Sequence, residues 1–322
     1  MPLSADRPVY VSLAGIESLL ASLAAADPCA GLFGPGSITW RVNRESAVFL
    51  GAGRAALLQL AHPWVMAALA DHSNLLHRPI VRFHNTFRIV FTMVFGSLGQ
   101  AMAASRYLHG LHTHIRGELN QDAGQWPRGA HYEANEIGAL RWVYSTLVES
   151  AVMGYECAVG PLTDPEREQY YAESRTFAAL FGLPASALPA DWSAFAAYNR
   201  RMHGSNELAV TGAARAYADT LLSGSGSPLR PPTWFRALTA AWTPPPLRAG
   251  FFPDFDCADQ HAADAAARRL PRIYRHLPAP IRYVGPWQEA QARLTRQPPG
   301  LPARLSNRFW IGEPLLPFAD EK

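Results

Sequence analysis

The sequence predicts an all-α protein. Apolar residues recur with a helical period through three long stretches that contain no proline, residues 80–126, 128–160 and 190–227. Short Val, Ile and Thr runs bounded by turn residues, which are typical of strands, are scarce. With 48% hydrophobic and 17% charged residues, the 322-residue chain can bury a sizeable core, which excludes an intrinsically disordered protein. We therefore expect a single all-α domain over residues 1–322.

Apolar periodicity predicts ten helices, at residues 14–26, 44–70, 79–95, 97–117, 133–159, 164–182, 190–203, 206–222, 257–276 and 280–295. The second should kink or break at Pro63, because proline lacks the amide hydrogen that the helix ladder needs. Pro79 suits a first helical turn, and Asp164 before Pro165 is a typical helix start. Gly117 is interpreted as the residue that stops the fourth helix.

The C-terminal third has a different composition, because 16 of the 27 prolines lie from Pro228 onward. Residues 223–253 contain serine, glycine and proline runs, but also aromatic residues such as Trp234 and Trp242 that a solvated linker would not retain. We expect a proline-stiffened strap here, packed on a helical body of about residues 40–222. The extension over residues 223–322 is thus predicted to wrap that body.

Charge and cysteine content exclude several classes of protein. The net charge is +3 and no run of Lys or Arg marks a nucleic-acid interface, so nucleic acid is not an expected partner. The three cysteines, Cys29, Cys157 and Cys257, are too few and too far apart for a disulfide framework or a zinc site. No segment resembles a signal peptide or reaches the roughly 20 apolar residues of a membrane-spanning helix. These observations predict a cytoplasmic protein with no transmembrane segment.

The sequence Gly51-Ala52-Gly53-Arg54 superficially suggests a dinucleotide-binding turn. That fingerprint requires a preceding strand and a third glycine, whereas this segment lies within a helical pattern. We interpret the two glycines as positions where helices approach each other closely.

Histidine His112 is the first candidate for chemistry. The apolar stripe of the predicted helix 97–117 consists of Ala101, Ala104, Leu108, Leu111 and Ile115. His112 falls on this stripe, while His109 falls with Arg106 on the polar face. A histidine on a buried stripe is either a satisfied core residue or an axial ligand to a metal or haem. The residues alone leave both interpretations open.

Arg82 and Thr86 are the second candidate, because residues four apart share a helix face. Burying a guanidinium is costly unless an anion meets it. Its partner could be Glu149 or Glu156, which share a face of the apolar helix 133–159, or a bound carboxylate such as a haem propionate. A di-iron site is not expected, because the Glu-x-x-His motif is absent.

An ordered series of motifs runs through residues 40–205. The motifs are Gly51-x-Gly-x-x-Ala-Leu-Leu-Gln-x-Ala-His-Pro63, Ala70-Asp71-His72-Ser73, Arg82-x-x-x-Thr86, Phe95-Gly96, His112-x-x-Ile-Arg-Gly117, Leu140-x-Trp142-Val143, Leu147-Val148-Glu149-Ser150, Tyr155-Glu156, Pro161-Leu162 and Tyr170-Tyr171-x-Glu173-Ser174. In this succession the chain resembles the latex-clearing proteins (rubber oxygenases) and the wider MpaB-type oxygenase family. The order of the motifs is far more specific than any one of them.

The resemblance implies a haem b protein with a globin-related helical core, in which dioxygen is a co-substrate. By its match to the motif, His112 is the expected proximal iron ligand, with His114 as the alternative. Arg82 and Thr86 match the positions beside the haem. Asp71 is a candidate for the acidic base of rubber cleavage, for which there is no secure counterpart.

Two departures from the family pattern limit what the resemblance implies. Asn85 stands where the rubber oxygenases have a lysine before the threonine, and Tyr144 stands where the wider group often has histidine. A lysine ligand is therefore unavailable, and polyisoprene cleavage is not implied.

Together these observations predict a cytoplasmic haem b-dependent oxygenase or oxidase. Its substrate would be a small or lipophilic organic molecule, oxidised with dioxygen or peroxide and with a possible external electron donor. A non-enzymatic haem sensor or carrier is one alternative, and a haem-free helical ligand-binding protein is the other.

Overall fold

The all-α fold class is confirmed. The computed structural model describes residues 9–73, 79–224 and 230–318, and within these ranges it contains sixteen α-helices, two short 3-10 helices and one small sheet. The α-helices are α1 (Leu13–Ser22), α2 (Ile38–Asn43), α3 (Ala52–Leu60), α4 (Pro63–His72), α5 (Pro79–Phe95), α6 (Leu98–Thr113), α7 (Ile137–Ala158), α8 (Asp164–Leu180), α9 (Trp192–His203), α10 (Gly212–Ser223), α11 (Thr233–Trp242), α12 (Pro245–Phe251), α13 (Cys257–Tyr274), α14 (Ala279–Arg282), α15 (Gly285–Leu294) and α16 (Leu301–Ile311). The 3-10 helices are Ser46–Gly51 and Ala185–Ala187.

Local sequence signals explain where several helices begin. The predicted break at Pro63 is confirmed, because α3 ends at Leu60 and Pro63 occupies the first turn of α4. The Thr163 hydroxyl caps α8 in a capping box with Glu166. The Asp191 carboxylate caps α9 and accepts the amide hydrogen of Ala194.

The predicted helix 97–117 is too long at its C-terminal end. Helix α6 stops at Thr113, and the residues that follow form strand β1 (Arg116–Glu118), which pairs antiparallel with β2 (His131–Glu133). Gly117 lies in this strand. A larger residue would not fit there, because a Cβ would come within 2.7 Å of the Tyr132 hydroxyl. It therefore permits close strand packing, and its interpretation as a helix stop was wrong.

The prediction of a proline-stiffened strap was also wrong. Residues 233–251 form α11 and α12, and a further helix, α16, lies in the C-terminal tail. The prolines do not prevent helix formation, since several occupy the first turn, as Pro245 does in α12, Pro286 in α15 and Pro302 in α16. The division into a body and a wrapped extension stays a prediction.

Helix α7 crosses the centre of the fold, and its Trp142 and Tyr144 side chains are completely buried. The close approach predicted at the two glycines is confirmed. A Cβ on Gly51 would lie 2.0 Å from the carbonyl oxygen of Ser150 in α7, and one on Gly53 would lie 2.5 Å from Thr239 in α11.

No helix among the described residues combines the length and apolar character needed to cross a bilayer.

Candidate functional site

Helices α5 and α6 form an antiparallel hairpin that creates the candidate site. The turn is tight at Gly96, where a Cβ would meet the Thr92 carbonyl oxygen at 2.4 Å. Ser97 then starts α6 with a capping box that includes Gln100. Because the two helices run in opposite directions, the start of α5, with Arg82, lies opposite the end of α6, with His112.

His112 is half-buried on α6 and is kept neutral by its surroundings. Burial is the main cause that lowers its pKa to about 4, and the nearby Arg82 and His109 lower it further. The neighbouring Asn135 side chain acts in the opposite direction and raises the pKa of His112. His112 is therefore a neutral imidazole at physiological pH, the form that binds a metal ion.

Asn135 is the polar neighbour of the His112 ring. Its side chain is buried, and its Nδ2 donates to the main-chain oxygen of His109 at 3.3 Å. A hydrogen bond between Asn135 and one imidazole nitrogen would leave the other nitrogen for a ligand. Asn135 lies 23 positions from His112, just after β2, and no feature of the sequence marks it as part of the site.

The prediction that His109 lies on the polar face of the helix was wrong. His109 is buried, and Leu111 of the predicted apolar stripe is 42% exposed. The buried face of α6 is therefore rotated toward His109, because Asn135 covers that side of the helix.

Arg82 forms no ion pair within the described residues, although the sequence suggested Glu149 or Glu156 as its partner. Glu149 instead accepts from Arg54 at 2.6 Å, and Glu156 accepts from Arg167 at 2.7 Å. The proposed pairing was wrong because both carboxylates have closer arginines. In the part of the chain that the structure describes, the Arg82 guanidinium therefore has no counter-charge.

Arg82 lies close to His112, at the N-terminal end of α5. Its side chain is accessible to solvent, yet the surrounding protein lowers its pKa by desolvation. The half-buried His112, with its strongly lowered pKa, has the same combination of access and burial. The Arg82 charge lowers the pKa of His112, so the two side chains lie near each other where the start of α5 meets the end of α6, and we call this region the polar cleft.

Thr86 lies one turn after Arg82 on the same face of α5. Its hydroxyl donates to the Arg82 carbonyl oxygen at 3.0 Å. In this arrangement the Thr86 oxygen can still accept a hydrogen bond, and it can donate to a ligand after rotating about χ1.

An apolar pocket adjoins this face of α5. Val90, one turn beyond Thr86, lines the pocket together with Leu147 and Ala151 of α7 and Phe49 of the 3-10 helix Ser46–Gly51. The volume of this cavity is about 80 Å³. Arg82, Thr86 and His112 lie outside its lining, nearer the N-terminal end of α5. The polar cleft and the apolar pocket thus succeed each other along one helix.

Asp71 and His114 are placed at the surface. The exposed Asp71 carboxylate accepts from the Tyr132 hydroxyl at 2.5 Å, so it holds β2 against the end of α4. Its role as a base stays a prediction. His114 is exposed at the C-cap of α6. Among the described residues no three His, Cys, Asp or Glu side chains cluster as metal ligands. A haem iron, which its macrocycle already holds, needs only one such ligand.

Comparison with known proteins identifies the family. Residues 40–276 match the catalytic domain of the family described as ER-bound oxygenase mpaB/B'/Rubber oxygenase. The match extends beyond residues 40–205, the region of resemblance recognised from the motifs, and includes α11, α12 and α13. Comparisons with curated proteins and with solved structures gave no match. The chain therefore belongs to the mpaB and rubber oxygenase family, an oxygenase family, as its motifs predicted.

Proposed function

We propose that this protein is a haem b-dependent oxygenase that oxidises a small lipophilic molecule with dioxygen. The observation that carries the proposal is the proximity of His112, whose pKa is lowered, to Arg82, which has no ion-pair partner within the described residues. The family supports an oxygenase role in general. The proposal adds to this the haem, His112 as the ligand of its iron, and a small lipophilic substrate.

The residues in the cleft fit a haem. His112 would bind the iron through the nitrogen that Asn135 leaves free, and Arg82 would pair with a propionate. When bound, haem supplies an iron centre able to activate dioxygen. The Arg82 guanidinium has no other anion within the described residues, so a bound carboxylate would remove the cost of its desolvation.

The protein's own side chains would then position the reactants. Asn135 would hold the His112 ring and its tautomer through a hydrogen bond to the second nitrogen. Thr86 offers a hydroxyl one turn from Arg82 on the cleft side of α5. The apolar pocket beyond Val90 would bind a hydrocarbon portion of the substrate and exclude water from it.

Absorption spectroscopy tests the cofactor and its ligand. The purified protein, or the protein supplemented with haemin, should show a Soret band that is lost in His112→Ala and retained in the exposed His114→Ala. The reverse pattern would move the ligand to His114. A colourless protein that does not bind haemin would contradict the proposal and favour the haem-free alternative.

Dioxygen consumption tests the reaction itself. With a reductant and a panel of lipophilic compounds, the haem-loaded protein should consume dioxygen and form an oxygenated product. Arg82→Gln and Thr86→Val should reduce the rate, whereas Arg200→Gln, a change at an exposed arginine on α9, should not. Haem binding without turnover on the whole panel would favour the sensor or carrier alternative.

A further inference from the structure

The C-terminal part of the chain concentrates positive charge. Between residues 265 and 312 there are nine arginines, no lysine and a single acidic residue, Glu289, which is buried. Seven of these arginines are exposed and form no salt bridge within the described residues: Arg268, Arg269, Arg272, Arg275, Arg296, Arg304 and Arg308. This segment is strongly basic although the whole protein has a net charge of only +3.

Helix α16 carries an exposed apolar stripe within this basic segment. Leu301, Leu305 and Phe309 are 75%, 62% and 52% exposed and lie four residues apart, so they share one face. Arg304 and Arg308 flank the stripe one residue before Leu305 and Phe309. Exposed large apolar residues in a row with arginines beside them are typical of helices that lie in a membrane interface.

The opposite face of α16 anchors the helix to the fold. Asn307 and Ile311 are buried, and Trp310 stacks on Phe49 with ring centroids 4.0 Å apart. Phe49 lines the apolar pocket. The exposed stripe therefore lies on the outer side of a helix whose inner side contacts the pocket wall.

We propose that the outer face of α16, with Arg304 and Arg308 beside its apolar stripe, binds the surface of an anionic lipid bilayer. Leu301, Leu305 and Phe309 would enter the boundary between headgroups and acyl chains, while the arginines contact anionic headgroups. Charge favours a bilayer over a second copy of the chain at this face. Pairing two such faces would bring the arginines of both copies together, and their like charges would repel.

Bilayer contact at α16 would place the pocket next to a source of lipophilic molecules. A compound dissolved in the bilayer would have only the α16 layer between it and the pocket wall at Phe49. This consequence for the substrate class rests on the proposed function, whereas bilayer binding itself does not.

Vesicle co-sedimentation of the full chain, with and without added haemin, tests the surface. The protein should sediment with vesicles of phosphatidylcholine mixed with phosphatidylglycerol, remain in solution with phosphatidylcholine alone, and be released by added salt. The double variant Leu305→Ser, Phe309→Ser should lower the partition coefficient at least about tenfold. Leu13→Ser, a matched change at a leucine 66% exposed on α1, should leave it unchanged.

A charge variant separates the electrostatic contribution. Arg308→Gln should weaken binding to the anionic vesicles about fivefold, whereas Arg200→Gln should not. All substituted positions are exposed, and unchanged thermal unfolding confirms that the variants fold. Equal binding by the double variant and the wild type would overturn the proposal, as would no binding of wild-type protein to anionic vesicles. A wild-type dimer that the double variant converts to monomer would assign the stripe to a second copy instead. If the protein binds anionic vesicles but takes up no haem, the bilayer-binding surface on α16 is supported although the proposed haem binding is not.

Discussion

His112 should remain neutral in the folded, haem-free protein well below the pH at which an exposed histidine protonates. Burial, Arg82 and His109 together lower its pKa to about 4, from an ordinary value of 6.5. That difference corresponds to roughly 3 kcal/mol in favour of the neutral imidazole. The free nitrogen should therefore be available to a ligand across the physiological pH range.

The difference between the pKa of His112 in the folded protein and its ordinary value also makes the stability of the fold sensitive to acid. Because the folded pKa of His112 is below the unfolded one, the unfolded chain takes up the proton first as the pH falls. Stability should thus be constant with respect to this group above about pH 6.5 and decline by up to roughly 3 kcal/mol as the pH approaches 4. Buried His62, whose pKa burial also lowers to about 4, acts in the same direction.

Two measurements check this expectation. An NMR titration of the histidine side chains in the haem-free protein should show His112 unprotonated at pH 5.5, with exposed His261 as the comparison. Haemin affinity should then change little between pH 7.5 and 5.5, whereas a ligand with the ordinary pKa would lose about tenfold over that interval. Arg82→Gln removes a positive charge and should raise the His112 pKa. A His112 titration midpoint near 6.5 would refute the argument that the cleft keeps the imidazole neutral.

Three further predictions concern the framework of the site. Gly51→Ala should destabilise the fold by about 1–3 kcal/mol through overpacking against α7, while Gly110→Ala, where a Cβ meets nothing within 4 Å, should stabilise it slightly; thermal unfolding measures both. Glu149→Gln should cost about 2–3 kcal/mol by weakening the buried pair with its arginine partner, and an unchanged midpoint in urea would contradict this. Tyr132→Phe should cost about 1–2 kcal/mol. If Asp71 only holds this hydroxyl, Asp71→Asn should lower stability and leave turnover unchanged.

The fold class and the long helices could be predicted because apolar periodicity is strong over 10 or more residues. The β1–β2 pair could not, since strands of three residues carry almost no pattern and Gly117 resembles a helix stop in isolation. The helices α11 and α12 were missed for a different reason. Proline is compatible with the first turn of a helix, so a proline-rich segment is not necessarily extended.

The site was partly predictable. Helical spacing correctly put Arg82 and Thr86 on one face, and the family motif selected His112 as the candidate ligand. Their meeting across the α5–α6 hairpin depends on the tight turn at Gly96, which periodicity does not describe. Asn135 reaches His112 from a loop beyond β2, so only the tertiary structure reveals the contact.

Two arginines show what the sequence alone could not separate. Arg54 is 3% exposed, and its guanidinium donates to the Trp242 carbonyl oxygen, the Ser150 hydroxyl and the Glu149 carboxylate. Every part of that side chain is used to hold helices together. Arg82 has the same chemistry, but it makes no side-chain hydrogen bond or ion pair within the described residues and it faces the cleft beside His112. An arginine without an anionic partner among the described residues would be stabilised by a bound anion. The contrast between the two arginines therefore favours a ligand role for Arg82 over a structural one.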